Sequence, residues 1–277
     1  MVFEAPAGGA LAFRGALALR SPDPEFGGLS GLVMTGPRAG LAISDAGRWA
    51  RFELRIEAGR LVGVEAVALA PLIDGSGKPL ERGGRDAESL ARDPETGRVW
   101  VSFEGDFRIA RYDAPPGPEA AELREPEWER DFEINQGFEA LALRPGGGLW
   151  AVAEAERGGA HQIWSEAAGS WRRGALPADP PWRPTGADFG PDGRLYLTER
   201  AFSIFGGFRF RLRRFEAGAD ALSRPETLIE LGAETKIDNI EGVTLWTEDG
   251  RAFLLLLSDD NFLPMQRNVL ALFEVTG

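Results

Sequence analysis

Gly137-Phe-Glu139-Ala-Leu-Ala-Leu-Arg144-Pro-Gly-Gly-Gly148-Leu-Trp-Ala-Val-Ala-Glu154 reads as a short apolar strand, a glycine turn and a second apolar strand ending in an acid. The same order returns along the chain. An acidic or hydroxyl residue sits among small and apolar neighbours in Gly-Leu-Ser30-Gly-Leu, Asp-Ala-Glu88-Ser-Leu, Gly-Phe-Glu139-Ala-Leu, Gly-Ala-Asp188-Phe-Gly and Asn-Ile-Glu241-Gly-Val, at spacings of 58, 51, 49 and 53 residues. Self-similarity at this period predicts a radial array of small sheets, one four-stranded sheet per unit: an all-β propeller.

Each marker is followed by turn chemistry such as Asp93-Pro-Glu-Thr-Gly97 or Gly190-Pro-Asp-Gly193, in which Pro presets one turn residue and Gly takes the positive φ. Third strands follow at 48–56, 107–112, 161–165, 208–215 and 268–275, with period-2 alternation clearest in Phe208-Arg-Phe-Arg-Leu-Arg. Fourth strands fit at 61–69, 121–134, 170–176 and 225–231. The last unit lacks one, and residues 11–19 form a spare strand ahead of the first marker. We therefore expect five blades in one domain over 1–277, with the N-terminal strand completing the last sheet. Six blades would follow if 71–85 or 115–130 hold further strands.

With 277 residues and 43% hydrophobic content the chain can bury a full core, and 36 Gly and 19 Pro fit a turn-rich β protein. A net charge of −12 argues against nucleic acid and anionic membrane surfaces as partners. It fits cations and small ligands, either a neutral ester or an anion bridged by metal. We expect a monomer. No apolar run is long enough to insert in a membrane, and the first ten residues show no signal peptide. There is no Cys, so thiolate metal sites and cysteine nucleophiles are excluded. The single histidine, His161, falls on a third strand away from the axis, which leaves Ser30 without a partner for a triad.

The chemistry must then rest on carboxylates. Glu88, Glu139, Asp188 and Glu241 converge on one axis in this reading and repel each other unless a cation or basic groups stand among them. Oxygen-only ligands select hard ions, Ca²⁺ ahead of Mg²⁺ or Mn²⁺. Arg85, Arg183 and Lys236 lie three to five residues before their markers, placed either to bind an anionic group or to neutralise the acids. Second strands end in Asp45, Glu104, Glu154, Glu199 and Asp259, most simply read as solvated charges. Asp259-Asp260-Asn261 places three oxygen-bearing side chains in a row and suits a cation-binding turn.

The runs Asp86-Ala-Glu-Ser-Leu90, Asn135-Gln-Gly-Phe-Glu-Ala-Leu141, Pro191-Asp-Gly-Arg-Leu-Tyr-Leu-Thr-Glu-Arg200, Asp238-Asn-Ile-Glu-Gly-Val243 and Leu257-Ser-Asp-Asp-Asn-Phe262, with Ile73-Asp-Gly-Ser-Gly-Lys-Pro79 before them, resemble the phytase-like β-propeller family with esterase-like activity. The resemblance spans residues 26–277. It implies a bacterial propeller, periplasmic or secreted, with a divalent-cation site and no defined substrate. Three readings stay open: a metal-dependent hydrolase of phosphate or carboxylic esters, with Glu88, Glu139, Arg85 and Lys236 as its catalytic groups; a non-catalytic binding module with a structural metal; and a lactonase-like sugar-acid hydrolase.

Overall fold

The β-hairpin turns close where the dipeptide chemistry places them. Gly97 (φ 77°) donates to the Asp93 carbonyl, and Gly193 (φ 74°) to the Gly190 carbonyl, each at 2.9 Å. The computed structural model describes residues 9–125, 128, 137–167, 169–204, 207–232, 239–263 and 265–277, with backbone alone at 66–67. Among these residues the regular structure is twenty strands. An N-terminal β1 (Leu11–Ala18) precedes blade one, which is β2 (Leu29–Met34), β3 (Ala39–Ser44), β4 (Arg48–Glu57) and β5 (Arg60–Pro71). Blade two is β6 (Ala87–Arg92), β7 (Val99–Phe103), β8 (Arg108–Tyr112) and β9 (Glu119–Leu123). Blade three is β10 (Phe138–Leu143), β11 (Leu149–Arg157), β12 (Ala160–Ala167) and β13 (Ser170–Pro177). Blade four is β14 (Arg183–Phe189), β15 (Leu195–Ser203), β16 (Gly207–Ala217) and β17 (Leu222–Leu231). Blade five has β18 (Ile240–Glu248), β19 (Arg251–Ser258) and β20 (Val269–Val275).

Blade five is completed by β1, which pairs antiparallel with β20 from Leu11↔Val275 to Ala18↔Val269. The described strands form five sheets, and the expected closure is the one found. Residues 71–85 add only an isolated bridge, Ile73↔Pro79, and the described part of 115–130 holds β9, the fourth strand of blade two, so the ring has five blades and not six. Inner strands β2, β6, β10, β14 and β18 touch in ring order, with β18 meeting β2.

The core is divided among the five interfaces between blades. In β19, Phe253, Leu255 and Leu257 pack toward blade one, whereas Leu254 and Leu256 pack toward blade four. Burial on both faces is why this strand reads as a continuous apolar run. The alternation in β16 has a different outcome from the half-buried strand expected. Phe210 and Leu212 face blade five, and on the other face Arg211 and Arg213 are also buried, 5% and 8% exposed. Both donate to Glu199 at 2.6–3.1 Å, and Arg211 lies 4.6 Å from the Trp182 ring centroid. Charged side chains are tolerated between blades because each finds a buried partner.

Candidate functional site

Every inner strand begins with a β-bulge. The register slips between Leu29 and Gly31, Ala87 and Ser89, Phe138 and Ala140, Pro184 and Gly186, and Ile240 and Gly242. The extra residues are Ser30, Glu88, Glu139, Thr185 and Glu241. A bulge frees one side chain from the sheet's alternation and re-aims it. Four of the five line a cavity of about 260 Å³ at one end of the ring, together with Asp45, Asp86, Glu104, Glu154, Arg200, Asp259 and Asn261.

This register corrects two sequence assignments in blade four. The bulge residue there is Thr185, and Asp188 lies three positions further on, outside the cavity lining. Asp188 accepts from the Leu245 and Phe189 amides (2.7 and 2.8 Å) and the Thr244 hydroxyl (3.1 Å), tying blade four to blade five. It is therefore a strut and not part of the acid ring. The Thr185 hydroxyl donates to the Ile240 carbonyl and that of Ser30 to the Ala87 carbonyl, both at 2.8 Å, so each hydroxyl at a bulge ties its blade to the residue before the next bulge.

The second strands hold the other half of the site. Asp45, Glu104, Glu154 and Asp259 each donate a backbone N–H (2.9–3.2 Å) to the residue two before the bulge: Gly28, Asp86, Gly137 and Asn239. In blade four the paired positions are Arg183 and Arg200. Glu199, assigned from sequence to this place, is one residue off and faces Arg211 and Arg213 instead. Four supposedly solvated acids thus converge on the cavity, and the fifth position is a guanidinium. Gly28 (φ 60°) shows how tight the mouth is: a Cβ there would come within 2.2 Å of Asp45 Oδ1 and 2.4 Å of the Phe262 ring.

Among the described residues Arg200 is the only cation lining the cavity, facing eight carboxylates. It donates to Glu241 Oε1 at 2.7 Å, Asn239 Oδ1 at 2.8 Å and Glu154 Oε1 at 3.3 Å. Asn239 Nδ2 donates to the same Glu241 oxygen at 2.7 Å. Burial disfavours the guanidinium charge, but Glu241, Glu139 and Glu154 outweigh it and hold Arg200 protonated. Arg183 stands at the rim, 3.7 Å from Glu154 Oε2. Arg85 is outside the lining; it lies against Gly47, and its charge eases ionisation of Asp86. Lys236 lies outside the described residues.

One arginine cannot balance the ring. Burial, reinforced by the other acids, raises Glu88 well above the usual carboxylate range, and Glu139 likewise despite the opposing charge of Arg200. Asp45 (burial, then Asp259), Glu104 (burial, then Asp86) and Asp259 (burial, then Glu241) are each pushed up to about 7. Burial takes Glu241 to about 7 as well, even beside Arg200 and Asn239. Such a ring takes up protons or a cation.

Carboxylate oxygens of Asp86, Glu88 and Glu104 lie within 4.8 Å of one another. Ligands about 2.4 Å from a shared Ca²⁺ are at most about 5 Å apart, so the trio fits a hard cation in both donor type and spacing. Of the four ligands expected from sequence, only Glu88 belongs to it. Glu139 and Glu241 line the same cavity, but Glu241 is engaged by Arg200 and Asn239. Asn261 lines the mouth, whereas Asp260 caps the turn by accepting from the Gly28 and Phe262 amides at 2.9 and 3.1 Å. His161 is buried in β12, its Nδ1 2.9 Å from the Glu154 carbonyl, and does not line the cavity. Asp86, Arg200, Asn239 and Thr185 are the residues missed from sequence. Their signal is positional: two before a bulge, opposite that position on the second strand, or the bulge itself.

The phytase-like family model, described as "Esterase-like activity of phytase", matches residues 24–262. The chain belongs to this family. No curated protein matches this phytase-like chain in sequence. Among solved structures it is similar to an exo-β-1,3-galactanase from Phanerochaete chrysosporium, with a TM-score of 0.57 at 9% identity, covering 95% of this chain and 64% of that one. It is also similar to the PQQ-bound aldose sugar dehydrogenase of Streptomyces coelicolor (TM-score 0.45, 14% identity, 97% and 99% covered) and to hydrazine synthase of Kuenenia stuttgartiensis (0.45, 12%, 89% and 63%). The phytase-like chain thus spans less than two thirds of the galactanase and hydrazine synthase chains. At such identities the likeness is one of fold.

Proposed function

We propose that this phytase-like propeller is a divalent-cation-dependent hydrolase of phosphate or carboxylic esters. The observation that carries the reading is the asymmetry of the cavity: the Asp86, Glu88 and Glu104 trio in blade two, and Arg200 in blade four. A cation held by the trio, Ca²⁺ ahead of Mg²⁺ or Mn²⁺, would supply Lewis acidity to an ester oxygen and to an attacking water.

The protein's own groups take the remaining roles. Arg200, positioned by Asn239, steadies negative charge developing on the substrate. Glu139 is buried in the cavity lining, 6% exposed, and burial raises its carboxyl well above the usual carboxylate range even against the charge of Arg200. It is the group we assign to proton exchange with the water or the leaving group. No step needs the histidine.

The test is turnover of aryl phosphate and aryl carboxylate esters by chelator-treated protein, with and without Ca²⁺, Mg²⁺ or Mn²⁺. Cation-dependent turnover is expected, kept by His161→Ala and reduced at least ~100-fold by Glu88→Gln. Hydrolysis that survives chelation but is lost in His161→Ala would overturn the reading. Cation binding without turnover of any ester would leave a binding module with a structural metal.

A further inference from the structure

The cavity and its surroundings differ sharply in polarity. Among the described residues no apolar side chain lines the cavity. Yet five of the six exposed large hydrophobic residues among those described lie on the β15–β16 hairpin or on the loop after β19, just beyond residues that line it. Phe202 and Ile204, 59% and 86% exposed, follow Arg200 at the end of β15. Phe262, Leu263 and Met265, 47%, 53% and 91% exposed, follow Asp259 and Asn261 after β19. The sixth, Val62, is on the outermost strand of blade one.

These two segments belong to neighbouring blades and rise from residues that line the same cavity. The Phe202 ring is braced by Phe208 of the same hairpin, with centroids 4.9 Å apart. Phe262 is fixed over Gly27 and Gly28, beside Asp45. The exposed apolar side chains that form this rim thus stand at two places beside the cavity, one on blade four and one on blade five next to the start of blade one. Exposed apolar surface concentrated in this way marks a binding surface.

We infer that the rim receives the apolar part of an amphiphilic ligand whose polar head occupies the cavity, so that the preferred substrates are esters of medium-length acyl or alkyl groups. This rests on the ester reading above. An acid-lined cavity rejects a hydrocarbon chain, and the rim residues are exposed apolar side chains that follow its lining residues within a few positions. A second copy of a chain with net charge −12, or an anionic bilayer, would bring like charge against the acidic mouth.

The experiment has a turnover arm and a binding arm, both on the Ca²⁺-loaded full chain. Turnover compares aryl acetate, butyrate, hexanoate and octanoate; binding compares ethyl-, butyl-, hexyl- and octylphosphonate by calorimetry. Each added methylene should raise kcat/KM and affinity about twofold to fourfold, the upper figure being full burial of a CH₂. The double variant Ile204→Ser/Met265→Ser alters exposed side chains only and should flatten both series while leaving acetate and ethylphosphonate unchanged. If no ester is hydrolysed but phosphonate affinity rises with chain length and falls in the variant, the rim assignment holds and the hydrolase reading fails. Turnover without chain-length dependence, or a dependence that survives in the variant, overturns the rim assignment and leaves the hydrolase reading standing. No gain with length in either arm overturns it as well.

Discussion

Arg200 Nη1 lies 2.7 Å from Glu241 Oε1, joining blade four to the bulge residue of blade five at the centre of an otherwise acidic ring. The charge comes from the one blade whose bulge residue is threonine and whose second strand carries arginine opposite the position two before the bulge. A ring with acid in all ten positions would have no internal counter-charge.

Arg200→Ala should therefore destabilise the chelator-treated protein by about 3 kcal/mol. That is the low end of the cost of stripping one partner from a buried pair, since the side chain keeps 26% exposure. An added cation replaces part of the lost charge. The Ca²⁺-induced rise in unfolding midpoint should thus be larger in the variant than in the parent, as read by thermal unfolding across a Ca²⁺ titration.

For the parent, Ca²⁺ at 100 times its Kd should add about 2.7 kcal/mol to unfolding free energy measured in denaturant. Asp86→Asn, Glu88→Gln and Glu104→Gln should each blunt that gain, because each removes one oxygen ligand charge from the trio. An unchanged gain in all three would place the cation elsewhere.

Proton linkage gives an independent check. Asp45, Glu104, Glu241 and Asp259 titrate near 7 in the folded protein, against ordinary values of 3.8 for Asp and 4.5 for Glu. Between about pH 4 and 7 the folded state holds protons that the unfolded chain has released, so stability falls as pH rises through this window. Chelator-treated protein should be more stable at pH 5 than at pH 8 in urea unfolding. Ca²⁺ should close the gap by stabilising more at pH 8, where its ligands are ionised.

Asp188 should behave as a structural residue. Asp188→Ala leaves the Leu245 amide and the Thr244 hydroxyl without their carboxylate, a loss of about 1–3 kcal/mol. The Ca²⁺-induced shift in midpoint should remain as in the parent. Loss of that shift would return Asp188 to the metal site.

The ring and its closure are legible in the sequence because they depend on turns and on a missing strand, both of which leave local marks. Register in blade four is not, for a physical reason. Gly-Ala-Asp188-Phe-Gly imitates the marker pattern, whereas the bulge falls at Pro184-Thr185-Gly186, where nothing acidic draws attention. One residue separates Glu199 from Arg200, and one residue in a strand turns a side chain from the blade interface to the axis. Asp86 carries no mark of its own in the sequence, because its place in the site comes from pairing with Glu104 across the hairpin, a relationship between strands and not along one.

Blade five is sewn from both ends of the chain. Besides the strand pairing, the Thr276 amide donates to the Ala10 carbonyl at 2.8 Å, and Glu274 on β20 holds both Arg14 of β1 and Arg251 of β19. The entropy of joining such distant segments grows only with the logarithm of the intervening length. Its kinetic effect is larger, because contacts that wait for the far end of the chain place the last sheet late on the folding path. Until β1 docks, the flank of β20 is an open edge available to another molecule's strand. The same seam, once closed, joins the two ends of the chain within one sheet, so the hold on β1 bears directly on the lifetime of the folded ring.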